Sequence, residues 1–280
     1  MTREILSPLR YPGGKGKMAG VFKQIIMEND LLDGIYVEPF VGGGSVALSL
    51  LINDYVSRIV INDKDRSIYA FWHTVLNNAV QLCRMVSDTP IDMDVWRHQK
   101  EVQRHKEDAD LVELGFSTFF LNRTNRSGII KGGVIGGNNQ TGNYLIDARF
   151  NKSDLVARIE RIAEFADRIE LHNEDAVALL NGIKDNMPDR TLYYLDPPYC
   201  DKGPGLYMNY FKKGDHMEIA STIASIVHGK WIITYDNNQF IAGLYSNYRQ
   251  REFSLSYSTT NGKRGKEIMI YSDNLKDIDI

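Results

Sequence analysis

The sequence contains little cysteine, with only Cys83 and Cys200 among its 280 residues. Two isolated cysteines form no disulfide framework, and no repeated C-x-x-C pattern accompanies the six histidines. A structural zinc site needs closely spaced ligands of this kind. The sequence therefore predicts neither a disulfide-stabilised protein nor a metal site.

Long apolar segments and a strong charge of one sign are also missing. No run approaches the roughly 20 apolar residues that cross a bilayer, and the first ten residues, MTREILSPLR, lack the apolar core of a secretory signal. The net charge of −3 argues against a protein that coats polyanions indiscriminately. We expect a cytoplasmic globular protein, and the hydrophobic fraction of 43% is typical of that class.

Five short β-type segments alternate with helical patterns, which is typical of parallel strands joined by crossover helices. The predicted strands are residues 35–40, 58–63, 168–175, 191–196 and 230–236. Near the end of the chain, YRQREFSLSY and KEIMIYS flank TTNGKRGK and predict a hairpin. The sequence therefore predicts a doubly wound α/β sheet with an antiparallel edge.

Residues 76–165 interrupt this alternation between the second and third predicted strands. Their first half is helical in composition, a Gly- and Asn-rich loop follows, and Asn151 with Asp154 resembles the capping box of a further helix. A crossover needs only about a dozen residues. We therefore predict an inserted, mainly helical subdomain at 76–165, within a catalytic domain formed by residues 1–75 and 166–280.

A glycine-rich turn follows the first predicted strand, in YVEPFVGGGSVALSLL. Gly42, Gly43 and Gly44 allow a ligand to approach the backbone, and a helix that begins near Ser45 presents unpaired N–H groups beside it. The turn matches neither the Walker loop nor the dinucleotide fingerprint. About twenty residues later, Asp63 ends the second predicted strand, where an acid can accept hydrogen bonds from ribose hydroxyls. The alternative for Asp63 is a cap of the next helix.

The fourth predicted strand runs into Asp196, Pro197, Pro198 and Tyr199, in TLYYLDPPYC. Consecutive prolines cannot donate the hydrogen bonds of a sheet, so the strand must stop at the acid. The alternative is an ordinary turn, in which Asp, Pro and Tyr are common. Together with the glycine turn and Asp63, this segment favours a site for a nucleoside-type cofactor and its substrate.

The order of these motifs resembles the Dam-like (D12 class) adenine-specific DNA methyltransferases. The matching pieces are LRYPGGKGKM (9–18), VEPFVGGGS (37–45), the helical insertion and LDPPYC (195–200), and they span nearly the whole chain. The resemblance implies a Rossmann-like class I methyltransferase sheet whose insertion recognises the DNA target. It also implies S-adenosylmethionine as the cofactor, double-stranded DNA as the substrate, and a cognate restriction endonuclease as a possible separate partner.

The implied reaction methylates the exocyclic N6 amine of a flipped adenine, and the residue types suit it. This amine is a poor nucleophile until its two hydrogens are held out of the ring plane. The Asp196 side chain and the Pro197 carbonyl can accept one hydrogen each, with Pro198 helping to fix the backbone. Tyr199 is expected to stack on the extruded base. Two roles remain open for Asp196, which either takes the proton or only orients the amine.

The resemblance also implies which residues contact the cofactor. Tyr11 and Lys15 should close over it, and Glu38 should approach its methionine amino group. Asp175 corresponds to an acid that contacts the cofactor's adenine, and the alternative is a cap of the following helix. The full set of expected cofactor contacts is Tyr11, Lys15, Glu38, Phe40, Gly42, Gly44, Asp63, Asp175 and Asp196.

DNA contacts are expected in the insertion and in the turn before the last strand. The candidates are Arg123, Asn125, Arg126, Lys131, Lys263 and Arg264. Arginine suits phosphates and guanine edges, and the alternative for each basic group is a solvated face. The tract KGGVIGGNNQTG departs from the pattern of the GATC-specific members, so the recognition sequence stays open.

Three other functions share parts of this pattern. Cytosine-N4 DNA methylation uses the same clamp, although those enzymes more often have Ser in place of the first Asp. RNA adenine methylation applies the same chemistry to another nucleic acid. A non-catalytic DNA-binding module of the same fold is disfavoured, because the glycine turn, Asp63, Asp196 and Tyr199 are all present.

Overall fold

A computed structural model describes residues 5–10, 15–199, 211–226, 228–256 and 264–276. The helices in these ranges are α1 Ala19–Glu28, α2 Ser45–Ile52, α3 Arg66–Asn77, α4 Ala79–Asp88, α5 Met93–Arg104, α6 Leu111–Thr124, α7 Lys152–Ala163, α8 Ala176–Ile183, α9 Lys213–Ala224 and α10 Gln239–Leu244. The strands are β1 Gly34–Glu38, β2 Val56–Asn62, β3 Ile169–His172, β4 Thr191–Leu195, β5 Lys230–Asp236, β6 Arg249–Ser256 and β7 Arg264–Tyr271. Short 3-10 helices cover Lys15–Met18, Arg126–Gly128 and Ala166–Arg168.

The strands form one sheet in the order β3-β2-β1-β4-β5-β7-β6. The strands from β3 to β5 pair in parallel, and β7 pairs antiparallel with both β5 and β6. The predicted doubly wound sheet with an antiparallel hairpin is confirmed. Four of the five predicted strands differ from the observed ones at one or both ends. The largest difference is in β3, which ends at His172 rather than at residue 175, because Asp175 already caps α8.

The hydrophobic core occupies both faces of the sheet, because successive residues of a strand point to opposite sides. Tyr36 of β1 and Tyr194 of β4 belong to a cluster shared with α1, α2 and α3. Val37 and Tyr193 belong to a second cluster, shared with α8, α9 and α10. Both faces of the central strands are therefore covered, which explains why TLYYL is apolar at every position but its first.

Five helices, α3 to α7, and an irregular loop separate β2 from β3. Helix α6 packs against α3 and α5, and α4 packs against α7. The predicted start of α7 is confirmed, since the Asn151 side chain accepts from Asp154 N at 3.4 Å. The division of the chain into a catalytic domain and a recognition subdomain stays a prediction.

In the part of the chain that the structure describes, no helix has the length and apolar character needed to cross a membrane.

The strand order reverses between β1 and β4, because the chain passes from β1 outward to β2 and β3 and then returns to β4 on the other side. In open α/β sheets, ligands bind outside the carboxyl ends of the strands at such a point. The register pairs Val37 with Tyr193, so Glu38 and Asp196 follow at the same edge. The fold thus brings together the glycine turn and the Asp-Pro-Pro-Tyr segment.

Candidate active site

The glycine turn after β1 is fixed by contacts to its backbone. Gly42 donates its N–H to Asp63 Oδ2 at 3.1 Å, and its carbonyl accepts from Trp72 Nε1 at 3.0 Å. Gly42 and Gly44 have positive φ angles of 44° and 59°. A Cβ on Gly44 would lie 3.0 Å from the Trp72 ring. Both the conformation and the close packing therefore favour glycine at position 44.

Asp63 links this turn to the start of α3. Its Oδ1 accepts from Asp65 N at 2.9 Å, and Asp65 in turn accepts from Ser67 N. The cap of α3 is thus Asp65, so the alternative role proposed for Asp63 is wrong. Burial raises the pKa of Asp63 to about 7, although the two backbone donors favour the ionised form.

Glu38, the last residue of β1, is a buried acid that is 5% exposed. Its Oε2 forms no hydrogen bond of normal geometry among the described residues. Burial and then the neighbouring charge of Asp196 raise the pKa of Glu38 well above its usual range, although the Ala47 N–H and the Tyr36 hydroxyl lie near enough to the carboxyl group to offset part of this rise. An unsatisfied buried acceptor costs about 1–3 kcal/mol. A cationic or N–H group of a ligand would remove this cost.

Four side chains meet just after the end of β4. The Lys15 ammonium lies 2.6 Å from Tyr199 Oη, 2.6 Å from Glu267 Oε2 and 3.2 Å from Asp196 Oδ1. Tyr199 donates to Glu267 Oε1 at 2.8 Å. The side chains of Lys15 and Glu267 are 3% and 1% exposed, whereas that of Asp196 is 23% exposed. Asp196 is therefore the charged member of this cluster that a substrate can reach.

Asp196 uses only one carboxylate oxygen for its contacts with the described residues. Thr234 Oγ1 donates to Oδ1 at 2.8 Å, and Lys15 faces the same atom. Tyr194 Oη forms a hydrogen bond with Thr234 Oγ1 at 3.0 Å and so helps to orient that hydroxyl. The ion pair with Lys15 thus orients the carboxylate and leaves Oδ2 for a substrate.

The aromatic residues of the site are packed inside the protein. Tyr199 is 4% exposed, and Lys15 Nζ lies 5.2 Å from its ring centroid. Stacking of Tyr199 on a base needs an accessible ring face, so this role stays a prediction that requires a local rearrangement. The rings of Phe40 and Phe211 meet edge to face, with 5.9 Å between centroids. This contact connects the turn after β1 with the chain beyond the Asp-Pro-Pro-Tyr segment.

Asp175 caps α8, as the alternative to a cofactor contact predicted. Its carboxylate accepts from Val177 N at 3.0 Å and pairs with Lys64 at 2.9 Å. A contact between Asp175 and a cofactor stays a prediction. Tyr11 lies outside the described residues.

The six DNA-binding candidates differ in how accessible they are. Arg123 is partly buried and donates to the carbonyls of Arg149 and Pro8, and burial, followed by the charge of Arg10, lowers its pKa to about 10. Asn125 is fully buried, and its amide donates to two loop carbonyls and accepts from an indole N–H. Asn125 therefore holds the insertion together internally, and Arg123 also ties the insertion to the N-terminal segment at Pro8.

Arg126 and Lys131 are exposed, and neither side chain forms a hydrogen bond or an ion pair with the described residues. Lys263 lies outside the described residues, and the side chain of Arg264 is not among the described ones. The DNA contacts of all six candidates stay predictions. No group of three or more potential metal ligands occurs in the described ranges.

Three residues that organise the site were not among the candidates predicted from sequence. Glu267 could have been predicted as a site residue, because an acid directly before the apolar run IMIY is unusual in a buried strand. Thr234 gave a weaker signal, as a polar residue within WIITYD. Trp72 gave none, since it lies 30 residues from Gly42 in sequence and only the fold joins them.

Comparison with known proteins decides the family. The family described as D12 class N6 adenine-specific DNA methyltransferase matches residues 11–260. The chain belongs to this family. It is therefore an enzyme that methylates adenine N6 in DNA, and the family resemblance of its motifs is confirmed. The Rossmann-like methyltransferase sheet implied by that resemblance is also confirmed.

Individual relatives of this methyltransferase are distant. The type II methyltransferase M.MjaIII of Methanocaldococcus jannaschii is 22% identical over 210 aligned positions, with 70% of this chain and 70% of that protein covered. The rRNA methyltransferase aviRa of Streptomyces viridochromogenes is 12% identical, with 95% of this chain and 88% of that chain covered and a TM-score of 0.39. A candidate RNA methyltransferase of Pyrococcus horikoshii is 8% identical, with 94% and 86% covered and a TM-score of 0.44.

Proposed function

We propose that this enzyme transfers a methyl group from S-adenosylmethionine to the N6 amine of an adenine extruded from double-stranded DNA. One observation carries the proposal: the open oxygen of Asp196 and the unpartnered oxygen of Glu38 follow neighbouring strands at the switch point of the sheet. One acid suits the amine of the base, and the other suits a cationic cofactor. Family membership supports DNA adenine as the acceptor.

The residues at the glycine turn fit S-adenosylmethionine. The unpartnered Glu38 oxygen suits the methionine ammonium, and the Asp63 carboxylate suits the ribose hydroxyls. Among the described residues, the carboxylates of Asp196 and Glu267 share a single ammonium, Lys15, and this arrangement suits a cationic ligand nearby. When bound, the cofactor supplies an electrophilic methyl group. The further contacts that we propose are Tyr11, Lys15, Phe40, Gly42, Gly44 and Asp175.

The Asp-Pro-Pro-Tyr segment acts as the clamp for the adenine amine. Asp196 Oδ2 accepts one N–H, and the carbonyl of Pro197 accepts the other, held in place by the fixed φ angles of Pro197 and Pro198. With both hydrogens held out of the ring plane, the nitrogen lone pair points at the methyl group. Asp196 also stabilises the positive charge that the nitrogen gains during transfer. Tyr199 supports the base by stacking.

Incubation with labelled S-adenosylmethionine and mixed double-stranded DNA tests the proposed function directly. Label should appear on adenine N6 after hydrolysis of the DNA to nucleosides. Label on cytosine, on structured RNA supplied in parallel, or on the protein would contradict the substrate assignment. Failure to bind S-adenosylhomocysteine in calorimetry would contradict the cofactor assignment.

Cofactor affinity should rise with pH between pH 6 and pH 8. The ionised form of Asp63 accepts the ribose hydroxyls, and the Asp63 pKa of about 7 leaves the group protonated below that pH. Affinity should therefore fall by up to about tenfold for each pH unit below 7. Calorimetric titration with S-adenosylhomocysteine measures this slope, and Asp63→Asn should flatten it. An equal slope in both proteins would assign the dependence to another group, such as Glu38.

Residues 76–165 are proposed to read the DNA target, with Arg126 and Lys131 as phosphate contacts. Arg126→Ala and Lys131→Ala should each reduce the magnitude of the slope of log K against log [salt] by about 0.9, because each loses one phosphate contact. Fluorescence anisotropy with a labelled duplex measures this slope. Arg190→Ala is the matched control. Arg190 is exposed and directly precedes β4, at the amino end of that strand and away from the carboxyl ends where the site lies. Unchanged slopes in both insertion variants would remove these residues from the interface.

A cognate restriction endonuclease is proposed as a separate partner of this enzyme, supported by the likeness to a type II methyltransferase. Methylation by such an enzyme protects its recognition sequence from cleavage. DNA from cells that express this chain should then resist one endonuclease that cuts unmodified DNA. Sequencing of that DNA with detection of methylated adenine would identify the sequence, and methylation without any matching nuclease would contradict the partner.

A further inference from the structure

Glu267 is a buried acid in a position where a strand residue would ordinarily be apolar. It lies on β7, opposite Asp236 of β5, and its side chain is 1% exposed. A buried carboxylate destabilises a fold unless charged or hydrogen-bonding partners compensate for its lost hydration. The partners of Glu267 therefore indicate why the acid is present.

Both oxygens of Glu267 bind residues of the active-site motifs. Oε2 accepts from Lys15 at 2.6 Å, and Oε1 accepts from Tyr199 at 2.8 Å. Lys15 and Tyr199 also contact each other at 2.6 Å, so the three side chains form a closed triangle. Asp196 contacts this triangle through Lys15, at 3.2 Å.

We propose that Glu267 is a positioning residue for methyl transfer, which draws Lys15 toward itself and so keeps Asp196 a strong acceptor for the adenine amine. The inference rests on the proposed function, because Asp196 is the acceptor there. Glu267 contacts neither the base nor the methyl group in this scheme. It acts through Lys15, and it fixes the hydroxyl end of Tyr199.

The distances indicate that Lys15 interacts more strongly with Glu267 than with Asp196. Coulomb attraction increases as charges approach, and Lys15 is closer to Glu267, at 2.6 Å, than to Asp196, at 3.2 Å. Without a charge at position 267, Lys15 would pair with Asp196 alone. Asp196 would then be a weaker acceptor for the N–H of the base, and Tyr199 would lose its charged partner.

Among the described residues, the charged and titratable groups that face Glu267 are Lys15, Asp196, Tyr199, Tyr194 and, opposite it on β5, Asp236. Burial raises the pKa of Glu267, the charge of Asp196 adds to this effect, and Lys15 and Tyr199 partly offset it. Because the pKa is raised, protonation of Glu267 begins at a higher pH than for an exposed glutamate. Protonated Glu267 no longer holds Lys15 by charge, so kcat should fall as the pH falls through this pKa.

The experiment compares Glu267→Gln with the wild-type enzyme at saturating cofactor and DNA. Glu267→Gln should lower kcat by about 100-fold, the scale expected when a catalytic group is misplaced. Its affinity for S-adenosylhomocysteine should stay within about threefold, and the acidic fall in kcat should disappear. Glu267→Asp, which keeps the charge, should recover part of kcat.

Glu252→Gln is the matched control, because Glu252 lies on the neighbouring strand β6, is exposed, and among the described residues its side chain binds Asn237 alone. It should retain wild-type kcat and the acidic fall. Wild-type kcat in Glu267→Gln, or an unchanged pH profile, would overturn the inference. Should that variant fail to fold, the wild-type pH profile still decides, since a kcat independent of pH in the acidic range contradicts the role. A wild-type enzyme without any methyl transfer would instead refute the proposed function.

Discussion

Replacing Asp196 with alanine should lower kcat by about 10³-fold, equivalent to about 4 kcal/mol, the effect of losing a positioned group that stabilises transition-state charge. Cofactor binding should persist, because Glu38, Asp63 and the glycine turn do not depend on the Asp196 side chain for their backbone contacts. Lys15 keeps Glu267 as a partner, so the buried ammonium stays neutralised. Single-turnover kinetics with labelled cofactor measure the effect.

Asp196→Asn is the informative control for this prediction. Asparagine keeps the shape and one oxygen that can accept from Thr234, but it replaces the other oxygen with an N–H₂ group that repels the adenine amine. It should therefore lose nearly as much activity as Asp196→Ala. Wild-type rates in either variant, with the fold confirmed by circular dichroism, would show that the clamp is wrong.

Replacing Gly128 with alanine should lower the free energy of unfolding by about 3 kcal/mol or more, since it forces a backbone clash and a strained φ angle. Gly128 has a φ of 76°, and an added Cβ would lie 2.1 Å from the carbonyl oxygen of Arg10. The displaced segment would also lose the two hydrogen bonds between Arg10 and the buried Asn122, at 2.7 and 2.8 Å. Urea unfolding followed by circular dichroism measures the change.

Gly133→Ala is the matched control in the same loop. An added Cβ at Gly133 meets nothing within 4 Å, and its φ angle is not positive. Its unfolding free energy should change by no more than about 0.5 kcal/mol. Equal stability of the Gly128 and Gly133 variants would contradict the close approach of Arg10 to the insertion.

The contact between Arg10 and Gly128 has a consequence for activity as well. Arg10 touches the insertion, and Lys15, five positions later, touches Asp196. The segment before α1 therefore contacts both the region proposed to read DNA and the catalytic carboxylate. A disturbance at Gly128 should lower methyl transfer together with stability, which the same preparations can measure.

Much of the fold follows from local patterns. Alternating strands and helices predicted the doubly wound sheet, and the prolines after Leu195 predicted where β4 ends, because a proline cannot donate to a sheet. The prediction of strand ends is less accurate where a polar residue has two possible roles. Asp175 was included in the third predicted strand, although its carboxylate caps α8. A single sequence does not reveal which backbone N–H a short acid will bind.

The class of the sheet, the glycine turn and the acid after β4 follow from the sequence alone, because these features depend on the conformational limits of neighbouring residues. Which charges meet depends on the tertiary structure. Lys15 lies 184 residues from Tyr199 and 252 from Glu267 in sequence, yet the three form one buried cluster beside Asp196. Such pairings depend on strand order and on exclusion of water, and neither is a property of any local segment.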